Sequence, residues 1–114
     1  MFTELTIKDK SYKLRLTTKG SIQLEKALGY NPITLLLNID KGEMPTLTEM
    51  LIILHATLQP FNHGFDMDAV YDLYDDYIAG GKTKFDLVPV FIEVFQESGY
   101  IAKADKSNQE NEKN

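Results

Sequence analysis

The stretch TLTEMLIILHATLQP, residues 46–60, decides the fold. It opens with a capping box, because the Thr46 side chain can accept a hydrogen bond from the Glu49 amide while the Glu49 carboxylate reaches back to the Thr46 amide. Most positions after Glu49 are apolar, and a helix that is apolar on most sides is normally buried in the middle of a domain. The stretch therefore predicts a central helix over 47–59, which ends before Pro60.

Four shorter helices are predicted around the central one, and each is bounded by residues that begin or end helices. The bounding residues are Thr17 or Thr18 and Gly29 for the first helix, Asn31 for the second, Asp66 for the fourth, and Thr83 or Asp86 for the fifth. The predicted ranges are 18–28, 32–39, 67–79 and 86–98.

The first seventeen residues alternate between apolar and polar side chains, as strands do. Leu5 and Ile7 fall on one face of a first strand, and Leu14 and Leu16 fall on the same face of a second. The residues between the strands, 8–11, are polar and include a turn-forming aspartate. The pattern predicts a β-hairpin over 2–17 with one buried face.

The composition is that of one globular domain, with 114 residues of which 43% are apolar and 25% charged. The sequence predicts an α+β fold, in which the N-terminal β-hairpin packs on a bundle of about five short α-helices in a single domain over residues 1–101. Residues 102–114 are almost entirely polar and cannot bury enough surface to offset the entropy of ordering. They are predicted to form a flexible, disordered tail.

Several classes of function are disfavoured by the composition. Cysteine is absent, which removes disulfides, thiolate metal sites and cysteine nucleophiles. The net charge of −5 and the lack of a basic stripe argue against nucleic-acid binding. The longest apolar run, residues 50–54, is far shorter than the ~20 residues of a membrane span, and no secretory leader follows Met1. We expect a protein of the cytosol, in whichever cell makes it, that does not contact membranes.

No constellation of catalytic or metal-binding residues emerges from the sequence. His55 and His63 have no partner at metal-ligand spacing, and both are interpreted as structural histidines. Gly80 and Gly81 precede Lys82-Thr83, but the earlier glycine of a phosphate-binding loop is missing, so a helix end is the better interpretation. The sequence predicts a protein that is not an enzyme and needs no cofactor or metal.

The fourth helix combines an apolar stripe with a row of carboxylates. The stripe, predicted to be the buried face, consists of Met67, Val70, Tyr71, Tyr74 and Ile78. Asp68, Asp72 and Asp75 or Asp76 share the opposite side, where like charges one turn apart destabilise a helix slightly. The carboxylates are either a solvated face or a surface that docks to a basic partner, and the sequence leaves both interpretations open.

Protein contacts are the remaining candidate for function. Nine aromatic residues lie in the second half of the chain, and most must fill the core, although exposed aromatics favour protein interfaces. The predicted partner-binding residues are Phe61, Phe65, Asp68, Asp72, Asp76 and Tyr77.

The order of these elements resembles the tail assembly chaperones of long-tailed phages and prophages of Gram-positive bacteria. The resemblance covers about residues 2–101 and is a pattern of hydrophobic and capping positions without a chemical signature. The resembling segments are LTIKDKSYKLRL at 5–16, IQLEKALGYNP at 22–32, LIILHATLQ at 51–59, HGF at 63–65 and YDLYDDY at 71–77.

The resemblance implies a non-catalytic role in tail morphogenesis. Chaperones of this kind coat the tape measure protein, help to recruit tail tube protein, and are absent from the finished virion; self-association along the tape measure is also implied. A ribosomal frameshift often extends a minority of such chains, and Glu112-Lys113-Asn114 can be encoded by a slippery A-AAA-AAC run. The nucleotide sequence of the gene tests that hypothesis.

Two other classes of function stay open at this point. One is a small acidic regulator that binds a host or phage protein, or mimics nucleic acid through its aspartate-rich helix. The other is an enzyme, although no set of residues in the sequence indicates a catalytic site.

Overall fold

The computed structural model describes residues 2–103, in which a two-stranded antiparallel hairpin is followed by five α-helices. The elements are β1 (Thr3–Ile7), β2 (Lys10–Leu14), α1 (Thr18–Leu28), α2 (Ile33–Asp40), α3 (Leu47–Leu58), α4 (Met67–Ala79) and α5 (Leu87–Ser98), with a single 3₁₀ turn at Lys84–Asp86. The α+β fold predicted from the sequence is confirmed. The predicted flexible tail falls outside the described residues from position 104 onward.

The hairpin turn is tighter than the sequence suggested. Ile7 pairs with Lys10, so the loop is only two residues long, and Lys10 and Ser11 belong to β2 rather than to the turn. Lys8 adopts a positive φ of 54°, which two-residue hairpin loops require and which glycine adopts more easily. The alternation holds on both strands, and the buried face includes Leu5 and Leu14.

Helix α3 is the centre of the molecule, as predicted. The capping box is present, with Glu49 N donating to Thr46 Oγ1 at 3.1 Å and Thr46 N donating to Glu49 Oε1 at 2.7 Å. The helix packs against α1, α4, α5 and β2. Its fully buried residues include Met50, Leu54 and Leu58, so one helix supplies the core contacts of most other elements.

The predicted caps hold the surrounding helices. Thr17, not Thr18, caps α1 by accepting from Gly20 N at 3.0 Å, and Gly29 ends that helix with a φ of 85°. Asn31 Oδ1 accepts from Ile33 N at the start of α2, and Asp66 Oδ1 accepts from Ala69 N at the start of α4. Thr83 and Asp86 cap the 3₁₀ turn together, and α5 begins directly after it.

The first and last elements of the chain close the fold on each other. Helix α5 packs on β1, and Phe91 and Phe95 are buried there. Tyr100 stacks edge-on against Phe95 at 5.3 Å, and its hydroxyl donates to Glu25 on α1 at 3.0 Å. The buried residues of the hairpin, α1, α3, α4 and α5 belong to one hydrophobic cluster.

The predicted buried face of α4 is partly wrong. Tyr71 and Ile78 are 49% and 41% exposed, whereas Leu73 and Tyr77 are buried beside Val70. Both sets of residues satisfy helical spacing, because apolar side chains cover more than half of the circumference of this helix. Packing against α3 and β1 selects the Val70 side, which leaves Tyr71 and Ile78 facing water.

Candidate functional site

An open groove with a large volume runs along α3 between α1 and α4. Its volume is about 950 Å³. The floor is the α3 surface that includes Leu51, Ile52 and Ala56. Because α1 and α4 each pack against α3 from a different side, the three helices form a trough with two walls.

The directions of the helices set the shape of the groove. The start of α1 lies at the end of α3, since an added Cβ at Gly20 would be 3.9 Å from the Ala56 carbonyl. Beyond the other end of α1, the Tyr30 hydroxyl hydrogen-bonds Glu49 near the start of α3. The α1 wall therefore runs antiparallel to the floor, and α4, which follows α3 after residues 59–66, forms the other wall.

The two walls differ in character. The α1 wall is lined by the exposed Gln23 and Ala27 and by Leu24, which is almost fully buried. The α4 wall presents the large side chains of Met67, Tyr71 and Tyr74. Burial raises the pKa of Tyr74, and the neighbouring Asp75 carboxylate raises it further. The α4 wall therefore supplies the aromatic side chains that a bound molecule could contact.

The polar side chains that line the groove include Gln59, which makes structural hydrogen bonds, and His55. Gln59 Nε2 donates to the carbonyls of His55 at 3.2 Å and Phe65 at 2.6 Å, which ties the end of α3 to the following loop. His55 itself is half-buried on the floor. Across residues 2–103, no group of three or more histidine, aspartate or glutamate side chains is placed to hold a metal ion.

Charged residues of α1 and α4 flank the groove, and Asp75 is the one among them that lines it. On α4, Asp68, Asp72 and Asp75 surround Tyr71 at helical spacing and are exposed, and no ion pair forms to them within residues 2–103. On α1, Lys19 and Lys26 lie one turn before and after Gln23 and are also exposed. The α4 edge of the groove is therefore acidic, and the α1 edge is basic.

The predicted partner-binding residues do not form one surface. Asp68 and Asp72 are exposed on the side of α4 next to the groove, but Asp75 is the α4 carboxylate that lines it. Asp76 lies on another side of α4, where its carboxylate pairs with Lys8 of the hairpin turn at 3.1 Å. Tyr77 is only 4% exposed and belongs to the core, which corrects its placement on a binding surface. Burial, then Asp86 and Tyr74, raise its pKa to about 12.

Phe61 and Phe65 separate as well. Phe65 is half-buried with its ring 6.1 Å from that of Tyr12. Phe61 is exposed and stacks edge-on with Phe2 at 5.8 Å, and Lys13 Nζ lies 4.8 Å from the centre of the Phe2 ring. This aromatic pair forms a small second surface beside the hairpin, distinct from the groove.

The sequence interpretation missed the groove itself. The sequence predicts Tyr71 on the buried face of α4, whereas the side chain is exposed in the wall of the groove. One signal was available, because α3 and α4 each carry more apolar residues than a single core-facing stripe needs. Such a surplus indicates a second apolar surface, although it does not show which side is left uncovered.

The fold and the groove define a small α+β protein whose main surface feature is an apolar trough between helices, and no helix within residues 2–103 has the length and apolar character to cross a bilayer. The chain belongs to a family of unknown function, DUF6096, whose pattern matches residues 3–114. No curated protein and no solved structure matches the chain.

Proposed function

We propose that this protein is a phage tail assembly chaperone, which binds the tape measure protein and assists tail tube assembly without catalysing a reaction. The observation that carries the proposal is the open apolar groove between α1, α3 and α4. The resemblance of residues 2–101 to tail assembly chaperones supports it independently of the groove.

The physical logic is that of a protein that keeps another protein soluble. A long partner that exposes apolar side chains aggregates unless those side chains are covered until assembly. The groove offers an apolar floor in Leu51 and Ile52 and an aromatic wall in Tyr71, on an acidic molecule whose net charge of −5 keeps the complex in solution. Binding of this kind needs neither a cofactor nor a metal.

The same proposal assigns the place of action and the partners. The chaperone acts in the cytoplasm of the bacterial host, contacts tape measure protein and tail tube protein, self-associates along the tape measure, and is left out of the mature virion. The exposed Phe2–Phe61 pair is a second contact surface available for such assembly.

The proposal predicts that a tape measure gene lies beside this gene, and co-expression with fragments of that tape measure protein tests it. We expect at least one fragment to become soluble and to co-purify with the full chain, whereas a coiled-coil fragment of equal length from an unrelated protein does not. The proposal fails if no tape measure fragment is solubilised or co-purified.

The exposed carboxylates of Asp68, Asp72 and Asp75 favour a second candidate, a small acidic regulator that occupies the basic site of another protein. Such binding is mostly electrostatic and is lost as salt is raised, because screening shortens the range of exposed charges. Binding through the apolar groove survives the same change. Co-purification that disappears between 0.1 and 0.5 M salt would therefore favour the regulator.

A further inference from the structure

We infer that the groove between α1, α3 and α4 receives an amphipathic α-helix of the partner protein, with its apolar stripe on α3 and a row of lysine or arginine side chains against α4. The inference rests on the proposed function for the identity of the partner, but the geometry of the groove carries it. It names the kind of segment that is bound, which the proposed function leaves open.

The shape of the groove fits a helix. Lining residues on α3 extend from Leu47 to Gln59, and a helix of that length is ~18 Å long. All three surfaces are helix faces, whose side chains form ridges at spacings of three and four residues. On α4 the ridge is Met67, Tyr71 and Tyr74. A fourth helix of about three turns would pack its own ridges between these and complete a bundle.

The charges along the α4 edge specify one side of that helix. Asp68 and Asp72 are one turn apart, and Asp75 follows at the next turn, so their like charges repel one another along the helix. Basic side chains on the bound helix relieve this repulsion and form ion pairs beside the buried apolar contact. Asp76 takes no part, because Lys8 already pairs with it.

Two occupants from the chain itself fit less well. Residues 104–114 contain a single apolar residue, Ala104, and so cannot supply an apolar stripe. Helix α2 exposes Leu37, but its eight residues include Asp40 and no basic side chain. A second copy offering α2 would place a carboxylate, rather than an ammonium group, near the acidic edge.

The test uses the full chain and a fluorescent synthetic helix of 18 residues, with leucine at spacings of three and four, lysine along one edge and glutamine along the other. A sibling peptide has glutamate in place of each lysine. We expect the lysine peptide to bind about tenfold more tightly in an anisotropy titration, since three exposed ion pairs are gained and three repulsions avoided. Equal affinities, or no binding of either peptide, overturn the inference.

Matched variants locate the contact. Tyr71 and Phe85 are both exposed aromatics, 49% and 54%, but only Tyr71 lines the groove. We expect Tyr71→Ala to weaken binding of the lysine peptide about tenfold, as loss of an aromatic anchor does, while Phe85→Ala changes it by less than twofold. Replacing Asp68, Asp72 and Asp75 by asparagine should remove the preference for lysine over glutamate. Circular dichroism confirms that each variant is folded, and equal effects of Tyr71→Ala and Phe85→Ala contradict the inference.

Other occupants would show themselves in the same experiments. If sedimentation shows a dimer that Tyr71→Ala dissociates, and the peptide competes with it, the groove belongs to a second copy. If deletion of residues 104–114 alone raises peptide affinity tenfold, those residues occupy the groove. Either result overturns the inference. A third outcome is that the lysine peptide binds as expected but no tape measure fragment co-purifies with the protein. That outcome would refute the proposed function and leave the inference standing.

Discussion

The two sides of α3 are both apolar, but only one is fully covered. On the side toward the hairpin and α5, Met50, Leu54 and Leu58 have almost no accessible surface. On the side toward the groove, Leu51 and Ala56 are buried, Ile52 and His55 are half-buried, and Leu47 is exposed. The covered side stabilises the fold, whereas the open side is surface that folding leaves in contact with water.

The difference shows how one helix can meet two demands. A domain of this size needs a closed core, and here the other helices and the hairpin leave part of α3, which is apolar on most sides, uncovered. The apolar surface that stays exposed does not contribute to folding, since burying it would stabilise the protein by about 25 cal/mol per Å². A partner helix that covers it would recover that free energy.

The largest expected effect separates the two sides of α3 directly. Leu54 is 1% exposed, so Leu54→Ala leaves a cavity and should lower the free energy of unfolding by about 2–5 kcal/mol. Ile52→Ala on the open side should cost about 1 kcal/mol, because that side chain gives up less buried area. Urea denaturation measures both. Equal losses would show that the two sides are equally closed.

The next largest effect is a pH dependence of the unfolding free energy, which comes from Tyr77 on the buried side of α4. The pKa of Tyr77 is raised to about 12, first by burial and then by Asp86 and Tyr74. Between pH 10 and 12 the unfolded chain ionises this phenol while the folded chain keeps its proton. The stabilisation is therefore complete below pH 10 and is lost as the pH rises through this window.

Tyr77→Phe removes the ionisable group and should flatten the decline of unfolding free energy over pH 10–12. Some slope should remain, because burial also raises the pKa of Tyr74 and of Tyr100. Denaturant titrations at closely spaced pH values provide the measurement. A slope that is the same in the variant and the parent would mean that Tyr77 is not held neutral by the core.

The smallest effects compare two aspartates on α4. Asp76→Asn removes the exposed ion pair with Lys8 and should cost about 0.2–1 kcal/mol, less at high salt. Asp72→Asn removes a like-charge neighbour of Asp68 and should stabilise the helix by a few tenths of a kcal/mol. Thermal unfolding at low and high salt distinguishes the two signs. Destabilisation by both variants would indicate that Asp72 also has a partner within the fold.

The fold could be predicted from the sequence because its signals are local. The capping box of Thr46 and Glu49, the cap at Asp66 and the glycine at 29 act within one turn of chain, and all three are present. The face of α4 could not be chosen that way. Tyr71 and Tyr77 both fit helical spacing, and the packing of distant β1 and α3 decides between them.

The groove could not be predicted from the sequence for a related reason. It is made by three helices that are separate in sequence, and its existence depends on what fails to cover Ile52 rather than on any motif. None of the six predicted partner-binding residues lines it, although Asp68 and Asp72 are exposed on α4 near the lining residue Asp75. Periodicity identified the apolar positions correctly, but the distance between neighbouring helices decides which of them are sealed.

The packing of α5 on β1 has a consequence for the synthesis of the protein. The hairpin leaves the ribosome first, yet the helix that covers it begins only at Leu87. At a synthesis rate of ~5–20 residues per second, Leu5 and Ile7 are not covered by α5 for several seconds. Nascent chains that stop before Leu87 keep these side chains in water, so we expect proteases to remove them rather than partial domains to accumulate.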